Sequence, residues 1–77
     1  MEGLGRGALN PMNVWLNGEA ADARGAMNVA ELAEKYGLEP RAILIEHNGV
    51  ALHQREWESR RLSELDRIEF IRVVAGG

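Results

Sequence analysis

The most constraining stretch of the chain runs from Asn28 to Gly37. Val29, Leu32, Ala33 and Tyr36 recur at i, i+3, i+4 and i+7, which lines one side of a helix with apolar side chains and leaves Glu31, Glu34 and Lys35 facing water. Asn28 supplies an N-cap oxygen, and Glu31 three residues on completes a capping box. Gly37 stands where the left-handed residue that ends a helix is wanted. A helix with one apolar stripe is stable only against another layer. On both sides of this one the apolar pattern becomes that of strands, so the chain is α+β, with the helix laid over one face of a sheet.

Before the helix, Met12, Val14 and Leu16 alternate with Asn13, Trp15 and Asn17, the period-two pattern of a half-buried strand. Asn17-Gly18 supplies the two positive φ angles of a type I′ turn, and Glu19 to Ala23 returns as an alanine-rich second strand. After Glu39-Pro40, the run Ala42-Ile43-Leu44-Ile45 reads as a strand buried on both faces near the sheet centre. His47-Asn48-Gly49 turns the chain into a short extended piece, Val50 to His53. Gln54 to Glu58 forms a helical turn around Trp57, which plugs the edge of the core with the Arg55 stem beside it. Arg61-Leu62 touches the sheet edge. Arg67 to Val74 is the last strand, with Ile68 and Phe70 inward and Arg67, Glu69 and Ile71 outward. The helix crosses between the opening hairpin and the third strand. This order is the β-grasp arrangement of ubiquitin-like proteins, with a mixed sheet of four to five strands.

One domain over residues 12–74 accounts for this pattern, since 77 residues leave no room for a second core. The stretch MEGLGRGALNP, residues 1–11, has three glycines and no periodicity and is expected to be a loose arm. It is either an extension ahead of an older start at Met12 or a remnant of cloning. Nine Lys and Arg against twelve Asp and Glu give a net charge of −3 with no basic run, which makes nucleic acid a poor partner. No apolar run approaches a membrane span or a secretory signal, so the expectation is a cytoplasmic protein that is monomeric when free. Without cysteine the chain has no disulfide and no thiolate of its own. A domain this small has little depth for an enzyme pocket, so a carrier or binding role is favoured over catalysis.

The chain closes on Val74-Ala75-Gly76-Gly77. A carboxylate that enters the narrow active site of another protein needs a backbone without Cβ, able to pass close to the enclosing walls, and Ala75, Gly76 and Gly77 form such a probe. A frayed terminus is the alternative.

With these residues in view, the sequence resembles the ThiS sulfur-carrier proteins of the thiamin pathway, small β-grasp domains that end in Gly-Gly. The likeness covers the chain from Met12 and rests on Val14-Trp15-Leu16-Asn17-Gly18-Glu19, Asn48-Gly49, and Arg55-Glu56-Trp57. Leu62, Asp66-Arg67-Ile68-Glu69 and Val73-Val74-Ala75-Gly76-Gly77 complete it. One departure is visible: the family usually places glycine before the aspartate that opens the last strand, whereas Leu65 precedes Asp66 here. That turn must be built without an easy positive φ, or with Leu65 as a packing residue.

The resemblance implies a cycle run by partners. An E1-like adenylating enzyme of the ThiF type uses Mg-ATP to adenylate the Gly77 carboxylate. A sulfur donor system then converts it to a thiocarboxylate, and a thiazole synthase of the ThiG type takes the sulfur. The chain itself is a protein co-substrate, not an enzyme, and binds no cofactor or metal. An α-carboxyl with a reference pKa of about 3.3 to 3.7 is ionised at neutral pH and so is ready for the first step. Rival readings are the small subunit of molybdopterin synthase, a ubiquitin-like modifier joined to lysines, and a plain interaction module.

For a docking surface, parity puts Trp15 and Ile71 on the face the helix does not cover, with Val73 extending them into an apolar patch near the tail. Alternatively, Trp15 lies flat on a neighbouring strand and shields the sheet. His47 and His53 have no ligand-like surroundings and read as solvated turn residues.

Overall fold

The computed structural model describes residues 12–73. The arm read over 1–11, together with Val74 and the tail Ala75, Gly76 and Gly77, lies outside the described residues. The opening alternation forms β1 (Asn13–Leu16) and β2 (Glu19–Asp22), antiparallel from Asn13↔Asp22 to Leu16↔Glu19. Asn17 and Gly18 turn between them at φ 52° and 85°, the two left-handed positions of a type I′ turn.

The helix α1 (Val29–Lys35) follows. Asn28 Oδ1 accepts the Glu31 amide at 2.8 Å, as the cap requires, but the Glu31 carboxylate reaches one residue further back than a capping box does and accepts the Met27 amide at 2.7 Å. At the other end Gly37, at φ 67°, donates to the Glu34 carbonyl and Leu38 donates to Ala33, a Schellman closure. Val29, Leu32 and Ala33 are buried, but Tyr36 is not part of the stripe. It caps the helix, half exposed, and its hydroxyl donates to the Asp22 carbonyl at 2.6 Å. A phenol with a polar tip settles where that tip finds an acceptor.

A 3-10 turn (Pro40–Ala42) leads into β3 (Ile43–His47), and Asn48-Gly49 turns it into β4 (Val50–Leu52). A 3-10 segment (Gln54–Ser59) buries Trp57, and β5 (Arg67–Arg72) ends the sheet. The described residues form a five-stranded mixed sheet in the order β2-β1-β5-β3-β4, with β1 and β5 parallel and the other pairs antiparallel. This is the β-grasp architecture expected from the sequence. Arg61-Leu62 departs from expectation, because Arg61 bridges Asn28 ahead of the helix, with Leu62 donating to the Met27 carbonyl, rather than meeting the sheet edge.

Core residues Val14, Val29, Leu32, Ile45 and Ile68 are fully buried between α1 and the sheet, with Trp57 closing one edge. The reading of β3 as buried on both faces fails at Leu44, which is 54% exposed. The described residues contain a single helix and therefore a single covering layer. Ile43 and Ile45 point under it, and Leu44 points to the uncovered face.

Leu65 answers the question of the missing glycine. It takes a positive φ of 69° itself, is 58% exposed, and its amide donates to the Asn13 carbonyl at 2.6 Å. It neither avoids the left-handed conformation nor packs. That conformation costs a residue with a Cβ roughly 1–2 kcal/mol, while glycine would add about 0.4–1 kcal/mol of chain entropy to the unfolded state. Leu65→Gly is therefore expected to stabilise the domain by roughly 0.5–1 kcal/mol. Urea unfolding checks this, the midpoint rising with no change in slope.

Candidate functional site

The face of the sheet opposite α1 is set by strand parity. From β1 it presents Asn13 and Trp15, from β5 Arg67, Glu69 and Ile71, and from β3 Leu44 and Glu46. Trp15 and Ile71 are both more than two-fifths exposed, so neither is shielded by a neighbouring element among the described residues. The register decides which of them meet. Trp15 pairs with Arg67, whereas Ile71 lies directly opposite Leu44. Arg67 and Ile71 are four positions apart on β5, about 13 Å at ~3.3 Å per residue, and Glu69 stands between them on the same face.

The face thus carries two apolar spots. One is Ile71 with Leu44 and Val73, where β5 ends. The other is Trp15 above a shallow groove lined by Gly18, Arg67, Ile68 and Glu69. Val73 is exposed, but its backbone is held, its amide donating to the Ala42 carbonyl at 2.8 Å. Of the residues read from sequence as a patch, Ile71 and Val73 come together and Trp15 stands apart. Leu44 was missed because a continuous apolar run does not reveal that one of its faces is open. The tail residues Ala75, Gly76 and Gly77 begin two residues beyond Val73, outside the described residues.

At the start of β5 lies a partly buried polar cluster that the histidine reading did not anticipate. His53 is exposed, as expected, but His47 is 7% exposed. Its Nε2 lies 2.7 Å from Asp66 Oδ2, and Arg60 Nε donates to its Nδ1 at 2.9 Å. A donor at Nδ1 requires a lone pair there, which puts the ring proton on Nε2, facing the carboxylate. Asp66 also accepts the Ser63 amide and the Asn48 side-chain amide. Alternation placed His47 on the inward side of β3, a signal that the adjacent turn obscured. Burial pushes the Asp66 carboxyl up, but hydrogen bonds from His47, Asn48 and the Ser63 amide outweigh it and hold the group below the ordinary carboxylate range. The cluster ties the start of β5 to the 48–49 turn and the exit of the 54–59 segment. It lies on the covered side.

Among the described residues no group of three His, Cys, Asp or Glu is placed to hold a metal, and no helix is long and apolar enough to cross a membrane.

Residues 14–77 match the model of the ThiS family. Among solved structures, the chain is similar to the crystal structure of a thiamine biosynthesis protein (ThiS) from Geobacter metallireducens. That likeness has a TM-score of 0.74 and 28% identity and covers 86% of this chain and 100% of that one. Among curated proteins it is similar to the uncharacterized protein ycf40 of Trieres chinensis, 24% identical over 63 residues that cover 82% of this chain and 86% of the relative.

The Asp66 cluster generates a pH prediction. A carboxyl whose folded pKa lies below its unfolded value stabilises the fold above the ordinary carboxylate range, and that contribution is lost as pH falls through the folded pKa. Asp66→Asn is expected to cost about 1–3 kcal/mol at neutral pH, the range for a buried hydrogen bond to a charged group. It should also flatten the fall in stability below about pH 5. Urea midpoints of both proteins from neutral to acid pH check this. Asp22, held down to about 2 by the Arg24 side chain, gives both the same residual slope.

Proposed function

The chain belongs to the ThiS family, and we propose that it carries sulfur for thiamine biosynthesis on the main-chain carboxylate of Gly77. Members of this family are sulfur carriers rather than enzymes, so the chemistry is run on the chain by others. One observation carries the assignment to Gly77: the family match runs through both closing glycines to residue 77.

In the first step an oxygen of the ionised Gly77 carboxylate attacks the α-phosphorus of Mg-ATP in an E1-like enzyme of the ThiF type. Pyrophosphate leaves, and the acyl-adenylate makes that oxygen part of a leaving group. Sulfide-level sulfur from the donor system, HS⁻ or its equivalent, then adds to the acyl carbon, the C–O bond to the phosphate breaks and AMP departs, and loss of the S–H proton leaves a thiocarboxylate. A thiazole synthase of the ThiG type consumes that sulfur. Gly76 and Gly77 suit the passage because a backbone without Cβ can approach the walls of an enclosing site. The absence of cysteine suits the cargo, since no thiol on the same chain can divert it by exchange. The cycle is placed in the cytoplasm.

Reach selects the docking surface. The four residues after Val73 span at most about 14 Å when extended. A partner that draws Gly77 into its active site must therefore contact the domain close to Val73, and Ile71, Val73 and Leu44 occupy that place. Trp15 serves as an outlying contact on the same face.

Deleting Gly77 is expected to abolish thiocarboxylate formation while leaving unfolding cooperative. Intact mass after incubation with the activating enzyme, Mg-ATP and a sulfur source reads this out. Exchange of one oxygen for sulfur supports the carrier, and adducts on lysines of other proteins support a modifier instead. Ile71→Ser is expected to weaken binding to the activating enzyme roughly tenfold or more, and Trp15→Ala by less, as the edge of an interface weighs less than its centre. Unchanged affinity in both variants would remove the outer face from the mechanism.

A further inference from the structure

The helix side of the domain carries a second surface that the carrier cycle does not use. Between α1 and the 54–59 segment runs a groove with an apolar floor that includes Ala30, Ala33, Leu38 and Trp57. Its rim is acidic. Glu34 and Glu58 line both the groove and a notch that continues it towards the start of the helix, where Glu31 joins them. All three carboxylates are exposed, and Arg55 is the one cation in the lining.

An independent observation concerns the floor. Trp57 is 3% exposed, and its Nε1 is buried without a hydrogen-bond partner, the one such side-chain atom among the described residues. That atom is closed to solvent, so the groove offers an occupant the apolar surface of its floor and not the indole N–H. These features together restrict the occupant. The carboxylates repel phosphates and other anions, and a polyamine answers the charge but has no apolar side chain for the floor. A peptide segment with Lys or Arg flanking a small apolar side chain answers both: ammonium or guanidinium groups for the rim and an aliphatic side chain for the floor.

We propose that the groove between α1 and the 54–59 segment docks a basic, apolar-anchored segment of a protein partner. Because α1 covers the opposite side of the sheet from Trp15 and Ile71, this partner holds the carrier while the outer face and the tail remain free. That geometry permits the carrier to meet two partners at once during sulfur transfer, one on each face.

The test uses Trp15→Phe protein, in which Trp57 is the sole tryptophan, titrated with the capped peptide Lys-Ala-Leu-Lys-Gly-Leu-Arg. The expected result is a saturable change in Trp57 emission and amide shifts at Ala30, Ala33 and Gln54 rather than at Glu69 and Ile71. The double variant Glu34→Gln, Glu58→Gln should weaken binding at least tenfold without moving the unfolding midpoint, since both side chains are exposed. Any of several results overturns the proposal: no saturable binding, equal binding of a peptide with Glu at the basic positions, full affinity in the double variant, or shifts confined to the outer face. Binding that appears only after removal of residues 1–11 also overturns it, because the groove then belongs to the chain's own arm.

Discussion

The parallel pairing of β1 with β5 holds the rest of the structure in place. It joins the two ends of the domain at the centre of the sheet through the Trp15 amide on the Asp66 carbonyl at 2.8 Å and the Asn17 amide on Ile68 at 2.9 Å. Closing so long a loop is entropically unfavourable, and a two-residue register is a short ladder to offset it. Side chains add to the hold on β5 from both of its neighbours. Asn17 Oδ1 accepts the Phe70 amide at 2.8 Å, beyond the last residue of β1, and Asn48 Oδ1 accepts the Arg67 amide at 2.7 Å, where β5 begins. Each asparagine of the two Asn-Gly turns thus has a double task. It takes the left-handed conformation the hairpin needs and fastens the strand from which the tail departs.

The asymmetry of the covering layer follows from chain length. With one helix among the described residues, apolar side chains can be hidden on one face only, and the other face must be exposed or masked by a partner. The sequence meets this by interleaving: along β5 the outward positions read Arg67, Glu69, Ile71, so charge separates the Trp15 spot from the Leu44–Ile71 spot. Two small apolar spots set among charges are less prone to unselective association than one continuous patch of the same area. They also keep the patch nearest the tail small.

Most of the fold was legible because local signals agreed with one another. The capped helix, both Asn-Gly turns and the period-two strands each name their own conformation, and the order of elements leaves little freedom of topology. What escaped is non-local. Leu44 sits in an unbroken apolar run, and nothing in four consecutive apolar residues says that one face lacks a cover. His47 abuts a turn, and its burial depends on Asp66 and Arg60 arriving from other parts of the chain. Leu65 was misread for the opposite reason: propensity argued against a positive φ, and the surrounding turn, with the Asp66 amide on the Ser63 carbonyl and the Leu65 amide on Asn13, imposes it anyway. On the outer face, parity relates Trp15 to Ile71, but only the register shows that Trp15 pairs with Arg67 while Ile71 lies opposite Leu44.

On the proposed function the carrier must be released by one partner before it serves the next, so it cannot bind either very tightly, and the surface proposed near Val73 fits that demand. Ile71, Leu44 and Val73 offer a small apolar centre, while Arg67, Glu69 and Glu46 on the same face supply charges of both signs around it. Charges at the margin of an interface act mainly on the rate of encounter and on the choice of partner, whereas the buried centre sets the rate of departure. A small centre therefore favours rapid exchange. The Val73 amide on the Ala42 carbonyl complements this, because it fixes the point from which the tail is measured. On the proposed function, docking the domain would confine the Gly77 carboxyl carbon to within about 14 Å of Val73, and a loose complex would still deliver it to the same region.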